Sequence, residues 1–181
     1  AGFFEHRINP YSAGAYYFVT AGGGTGRKIT AAGEVTGTAD VATSTFDDYD
    51  YHEKNKYNFL KSGRQWFGER IDHSEFDTVF SFPGRVSASP VRLMLNVVSR
   101  SSLGRNFTIK HDGQFVGSIA LSGVILSNST GVYANQKSGQ FSFSTSGDKV
   151  NINLTYNETE SSDEGFLDYI TVNVRRKLAL S

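Results

Sequence analysis

The chain has no cysteine among its 181 residues. That absence removes disulfides, thiolate metal sites and a cysteine nucleophile together. It leaves the compartment open, because oxidising compartments permit disulfides without requiring them. Net charge is missing too: 18 Lys and Arg offset 18 Asp and Glu, so no basic footprint suggests nucleic acid. No apolar run is long enough to span a bilayer as a helix, and no charged-then-apolar leader opens the sequence. A soluble polypeptide is expected, and a start without methionine leaves room for trimming from a longer precursor. Proline is reduced to 3 residues, and methionine and tryptophan to one each.

Against those shortages stand 14 Phe, 9 Tyr and 19 Gly. Aromatic side chains suit a pleated, half-buried surface, and glycine punctuates the turns between strands. Period-two alternation confirms the direction of the composition. Val91, Leu93, Leu95 and Val97 share one face, with Arg92 and Asn96 on the other. Val150, Ile152, Leu154 and Tyr156 alternate with Asn151, Asn153 and Thr155. Phe76, Phe80 and Phe82, and later Ile170, Val172 and Val174, repeat the pattern. Strands with one apolar and one polar face belong to antiparallel sheets that bury one side.

Phe107 and Ile109 lead into Asp112-Gly113, and Phe115 starts the return. An Asp-Gly pair between alternating runs predicts a tight hairpin with positive φ at both central residues. A second hairpin is predicted around Ser146-Gly147-Asp148, with Phe141 and Phe143 entering and Val150 to Leu154 leaving. The fold class expected is all-β: a two-sheet β-sandwich, jelly-roll-like and mostly antiparallel. Residues 1–60 read as an N-terminal strand-rich segment, either separate or part of the same domain, and 61–181 as the jelly roll. Within the first segment "GAYYFVT" and "RKITAAGEV" read as strands, and a short helical turn fits Lys54 to Leu60.

The chemical motifs argue against catalysis. "TAGGGTGRKI", residues 20–29, looks like a phosphate loop, but Gly26 is followed by Arg27, Lys28 and Ile29. A P-loop needs lysine and then Ser or Thr directly after the closing glycine, opening a helix. The glycines are expected to turn a hairpin. His6, His52, His73 and His111 are far apart, and His111 reads as a solvated loop residue. No Gly-x-Ser-x-Gly elbow occurs. Catalytic residues, cofactors and an assigned metal are therefore all absent from the reading. Asp47, Asp48, Asp50 and Glu53 cluster in a way that can ligate calcium, yet they lack EF-hand spacing, and a solvated edge is the simpler expectation. Sequons at Asn106, Asn128, Asn153 and Asn157 would mark glycosylation in a eukaryotic secreted protein. Asn106 and Asn153 fall instead on the wet faces of predicted strands.

The densest stretch is "SGRQWFGERID", Ser62 to Asp72. One reading fills the core with Trp66 and pairs Arg64, Glu69 and Arg70 at a sheet edge. The other makes Arg64, Trp66, Glu69 and Arg70 a binding surface, since tryptophan and arginine are enriched at hot spots.

Three stretches in order carry a family resemblance: "RINPYSAGAYYFVT", "FDDYDYHEKNKYNFLKSGRQWFGERID" and "GFLDYITVNVRRKL". Together they resemble the region ahead of the catalytic domain in PorU-like proteins, the gingipain-type cysteine peptidases that serve as sortases of the type IX secretion system. The resemblance implies a location beyond the inner membrane, at the outer membrane, cell surface or periplasmic face. It implies removal of a C-terminal signal domain from secreted cargo and attachment of the mature protein to a lipopolysaccharide anchor. Partners would be proteins of the outer-membrane secretion and attachment complex, including a barrel component, and the cargo itself. The family's chemistry depends on a Cys-His pair, which a chain without cysteine cannot supply. None of the four histidines carries over as catalytic. The chain is thus expected to be a non-catalytic accessory region, with no nucleic acid partner and no membrane span. The alternative is a carbohydrate-binding jelly-roll module, with glycan as ligand.

Overall fold

The computed structural model describes residues 4, 18, 19, 24, 33, 37, 42–61, 65–71 and 74–179. The glycine loop at 20–29, apart from Gly24, the strands expected at 14–20 and 27–35 (Phe18, Val19 and Gly33 apart), His6 and His73 lie outside the described residues.

Eight strands follow one another: β1 (Thr45–Glu53), β2 (Glu75–Ser81), β3 (Val91–Arg100), β4 (Arg105–His111), β5 (Gln114–Leu121), β6 (Asn135–Phe143), β7 (Lys149–Tyr156) and β8 (Glu164–Lys177). They form two four-stranded sheets, ordered β1-β8-β3-β6 and β2-β7-β4-β5, with every pair antiparallel. Successive strands alternate between the sheets, apart from the β4–β5 hairpin, as in a jelly roll. β1 lies ahead of residue 60 yet forms the edge of the first sheet.

The core follows from alternation. Leu93, Leu95 and Val97 of β3 meet Phe107 and Ile109 of β4 and Leu154 of β7, and all are fully buried. Each such side chain contributes about 1.5–3 kcal/mol by leaving water. The hairpin at Asp112-Gly113 forms as expected, with φ of 47° and 76°.

The second expected hairpin does not form. Phe143 pairs with Val91 in the first sheet, whereas Lys149 pairs with Ser81 in the second. The segment between them crosses from one sheet to the other. Buried Arg85 holds this crossing, its guanidinium donating to the carbonyls of Thr145 and, at 2.8 Å, Gly147. His111 is also corrected: it is buried, with Nδ1 2.9 Å from the Asn151 carbonyl and Nε2 2.7 Å from Thr145 Oγ1.

No helix forms among the described residues, so the turn expected at Lys54 to Leu60 is not helical. Residues 54–58 and 65–71 instead run extended and antiparallel as a strap, with a turn at 59–61 after the first of them. Tyr57 bridges Phe67, and Arg70 bridges Phe166 of β8. The strap covers the outward apolar residues of the first sheet: Phe59 and Phe67 pack on Phe166 and Val98 as a second, smaller cluster.

Candidate functional site

The strap decides what becomes of the residues singled out in the sequence. Backbone bonds Gly68 N to Leu167 O (2.8 Å) and Leu167 N to Glu69 O (2.9 Å) lay it against β8. A Cβ on Gly68 would sit 3.0 Å from the Leu167 carbonyl oxygen and 3.1 Å from that of Lys54, so glycine permits the approach. In this extended run neighbouring side chains diverge. Phe67 enters the small core, and Trp66 is left 44% exposed. The core position falls one residue later than the core-filling reading of Trp66 supposes.

Glu69 and Arg70 act as fasteners. The Glu69 carboxylate meets His52 Nε2 at 3.0 Å, Lys56 at 3.3 Å and Lys54 at 3.4 Å. Burial works to raise its pKa, but hydrogen bonds and charge from His52 and Lys56 bring it below the usual value. Arg70 reaches Glu164 at 3.5 Å and lies over the Phe166 ring. Glu69 therefore faces the β1 edge and Arg70 the start of β8, so they do not converge on Trp66. Arg64 lies outside the described residues.

The acidic run on β1 is dispersed by strand geometry. Asp47 pairs with Arg175 at 2.9 Å and Asp48 with Arg176 at 2.6 Å, while Asp50 Oδ1 accepts the Tyr51 amide at 2.8 Å. Among the described residues no three acidic or histidine side chains are grouped to hold a metal ion. On the outer face of the second sheet, Asn153 donates to Asp77 and Glu75, and Asn157 to Asn106 and Thr108.

A polar array that sequence reasoning did not assemble lies on the outer face of the first sheet. Asn96 Nδ2 donates to Ser138 Oγ at 2.7 Å; Gln136 Nε2 donates to Asn96 Oδ1 at 2.7 Å and to Asp168 Oδ2 at 3.2 Å. Gln65 of the strap donates to Gln136 Oε1. A bulge creates the arrangement. Asn96 faces Tyr169 and Val97 faces Leu167, which leaves Asp168 as the extra residue of β8. Burial raises the Asp168 carboxyl to about 6, with the Gln136 hydrogen bond opposing. Burial also lifts Glu53 on β1 to about 7, aided by the Asp168 charge. The only sequence signal for this array was Asn96 on the polar face of its strand.

Among the described residues no helix is long and apolar enough to cross a membrane. No family model matches the chain, and no curated protein does. Among solved structures it is similar to dimeric latent PorU from Porphyromonas gingivalis, at 20% identity and TM-score 0.62, over 78% of this chain and 14% of that one. It is also similar to the carbohydrate-binding module CBM36 in complex with calcium and xylotriose, at 12% identity and TM-score 0.42, over 69% of this chain and 98% of that one. The likeness to PorU is one of fold, and the chain spans a small part of that protein's length.

Proposed function

We propose that the chain is a non-catalytic β-rich accessory region of a larger PorU-like sortase, serving scaffold, cargo-engagement or partner-docking roles at the cell surface. The observation that carries this reading is the shared fold over 78% of the chain. The lack of cysteine agrees with it, because the peptidase chemistry would have to reside elsewhere. The partners would be proteins of an outer-membrane attachment complex, with secreted cargo among them. The coding sequence beyond Ser181 tests the reading. A gingipain-type peptidase domain with its Cys-His pair is expected there; a stop codon or an unrelated domain would sink the assignment.

A second reading, a carbohydrate-binding module, is favoured by one specific observation. The sole tryptophan is exposed while the adjacent Phe67 takes the core position. An exposed indole offers an apolar face with a polar edge, suited to a ligand that has both. Because Trp66 is the only indole, a glycan binding there shifts the whole tryptophan emission. An unchanged spectrum at saturating glycan removes Trp66 from the site.

A further inference from the structure

Phe4 rests on a strand 169 positions away in sequence. Its amide donates to Asn173 Oδ1 at 2.9 Å, and Asn173 Nδ2 donates back to the Phe4 carbonyl at 3.4 Å. The Phe4 ring stacks on Tyr49, with centroids 4.9 Å apart and planes inclined by 15°. Asn173 of β8 faces Tyr49 of β1 in register, and directly paired residues of antiparallel strands share a face. Val172 and Val174 on either side point into the core, which puts Asn173 and Tyr49 on the outer face of the first sheet.

This pair has the chemistry of a backbone reader. In an extended residue the N–H and C=O point to the same side, and a carboxamide presents one acceptor and one donor in a plane to match. Every residue except proline carries both backbone groups, so Asn173 selects an extended main chain without choosing a sequence. Tyr49 adds the preference, because stacked rings gain beyond the area they bury. The reader belongs to the fold and its occupant does not: Asn173 is 5% exposed, whereas Phe4 is 43% exposed. An open cavity of about 240 Å³ continues past Asn173 among Asp47, Pro90, Arg92 and Arg175, with room for a neighbouring side chain.

Strand addition, the other way to hold an extended peptide, is obstructed here. β1 is an edge strand, and its Tyr49 and Tyr51 amides are taken by the side chains of Asp48 at 3.0 Å and Asp50 at 2.8 Å. An arriving peptide finds those donors used, which leaves the face at Asn173 and Tyr49.

We propose that Asn173 and Tyr49 form a docking site for an extended peptide segment of a partner protein that bears an aromatic side chain, and that Phe4 fills the site as a latch until such a segment displaces it. Two hydrogen bonds and one half-exposed stack make a contact weak enough to exchange. The site requires neither the sortase nor the carbohydrate reading, since its occupant lies within the chain itself.

The test is fluorescence anisotropy of an acetylated peptide copying Phe4 to Asn9, labelled at its C-terminus and titrated with the full chain. A tethered segment competes at an effective concentration on the order of millimolar. Phe4→Ala in the chain should therefore tighten peptide binding tenfold or more over the parent. Adding Tyr49→Ala or Asn173→Ala to that chain should weaken binding tenfold or more, with an unchanged melting temperature. Where Asn173→Ala unfolds the chain, Tyr49→Ala decides alone, because its side chain is 38% exposed on an edge strand. Phe4→Ala in the peptide should cost at least as much, and Phe4→Trp should restore binding. No binding by the Phe4→Ala chain overturns the proposal, and equal binding by the parent overturns the latch. Binding that survives Tyr49→Ala overturns the site. A parent chain that dimerises, and loses the dimer with Phe4→Ala, would give the site to a second copy and overturn the partner assignment.

Discussion

Arg105 Nε donates to Asp163 Oδ2 over 2.6 Å, joining the start of β4 to the turn before β8. Asp163 is 0% exposed, and the same oxygen accepts the amides of Thr159 and Glu160 at 3.0 Å. Removing one partner leaves a buried charge without its counter-ion. Asp163→Ala is therefore expected to cost about 3–5 kcal/mol, measured by urea unfolding. Replacing both residues with apolar ones of similar volume should cost less. A double-mutant cycle checks the pair, and additive losses would show that the two residues act independently.

The same carboxylate carries a pH dependence. Burial alone would raise the Asp163 pKa, but hydrogen bonds from Ser101, Arg105 and the two amides hold it far below the ordinary range. The folded state thus releases this proton more readily than the unfolded chain. The stabilisation is complete above the unfolded value of about 4 and fades as pH falls below it. Acid unfolding of Asp163→Asn should be flatter than that of the parent between about pH 4 and 2.

Glu53 and Asp168 behave with opposite sign. Their folded values, about 7 and about 6, lie above the ordinary carboxylate values of 4.5 and 3.8. The folded state holds these protons where the unfolded chain has lost them. Their contribution is complete below about pH 4 and declines as pH rises through 6 to 7. Glu53→Gln should therefore gain stability relative to the parent between pH 5 and 8, on the order of 1 kcal/mol after allowance for solvent screening. Equal melting differences at the two pH values would refute the assignment.

Trp66 and Phe67 are neighbours with opposite environments, 44% and 4% exposed. Phe67→Ala should cost about 3–5 kcal/mol by emptying the small aromatic cluster. Trp66→Ala should stay within about 0.5 kcal/mol. Thermal unfolding separates them, and comparable losses would mean that the indole also supports packing.

Gly68→Ala tests the seating of the strap. The added methyl meets two backbone carbonyl oxygens at 3.0 and 3.1 Å. Backbone yields poorly, so a loss of about 1–3 kcal/mol is expected. Amide exchange should accelerate at Gly68 and Leu167, whose bonds hold the strap to β8. Exchange that rises evenly over the whole sandwich would instead indicate global destabilisation.

The legible parts of the sequence were those where local pattern and final environment coincide. Val150, Ile152 and Leu154 alternate and are buried accordingly, and Asp112-Gly113 turns because its residues accept positive φ. What failed was partnership over distance. Nothing within Phe141 to Leu154 says that its two halves enter different sheets, because the two alternating runs resemble the arms of a hairpin. His111 has the polarity of a surface residue, and its hydrogen bonds come from positions 34 and 40 residues away. Met94 and Val98 lie on the outward side of β3, where Arg92 and Asn96 signal water; the strap that covers Val98 arrives from elsewhere in the chain. Asn96, Gln136 and Asp168 come from three separate strands and meet through a bulge that alternation cannot reveal.

β8 is last in chain order among the described strands, yet it lies inside the first sheet between β1 and β3. Its register ties Lys177 back to Thr45 and Asn173 to Arg92. During synthesis β1 and β3 thus wait for a common neighbour that emerges only after residue 164, each with an unpaired flank. Such long-range closure makes maturation slow and leaves incomplete chains prone to clumping. Translation products that stop short of β8 should accumulate as aggregates or be cleared by proteases rather than survive as a smaller sandwich.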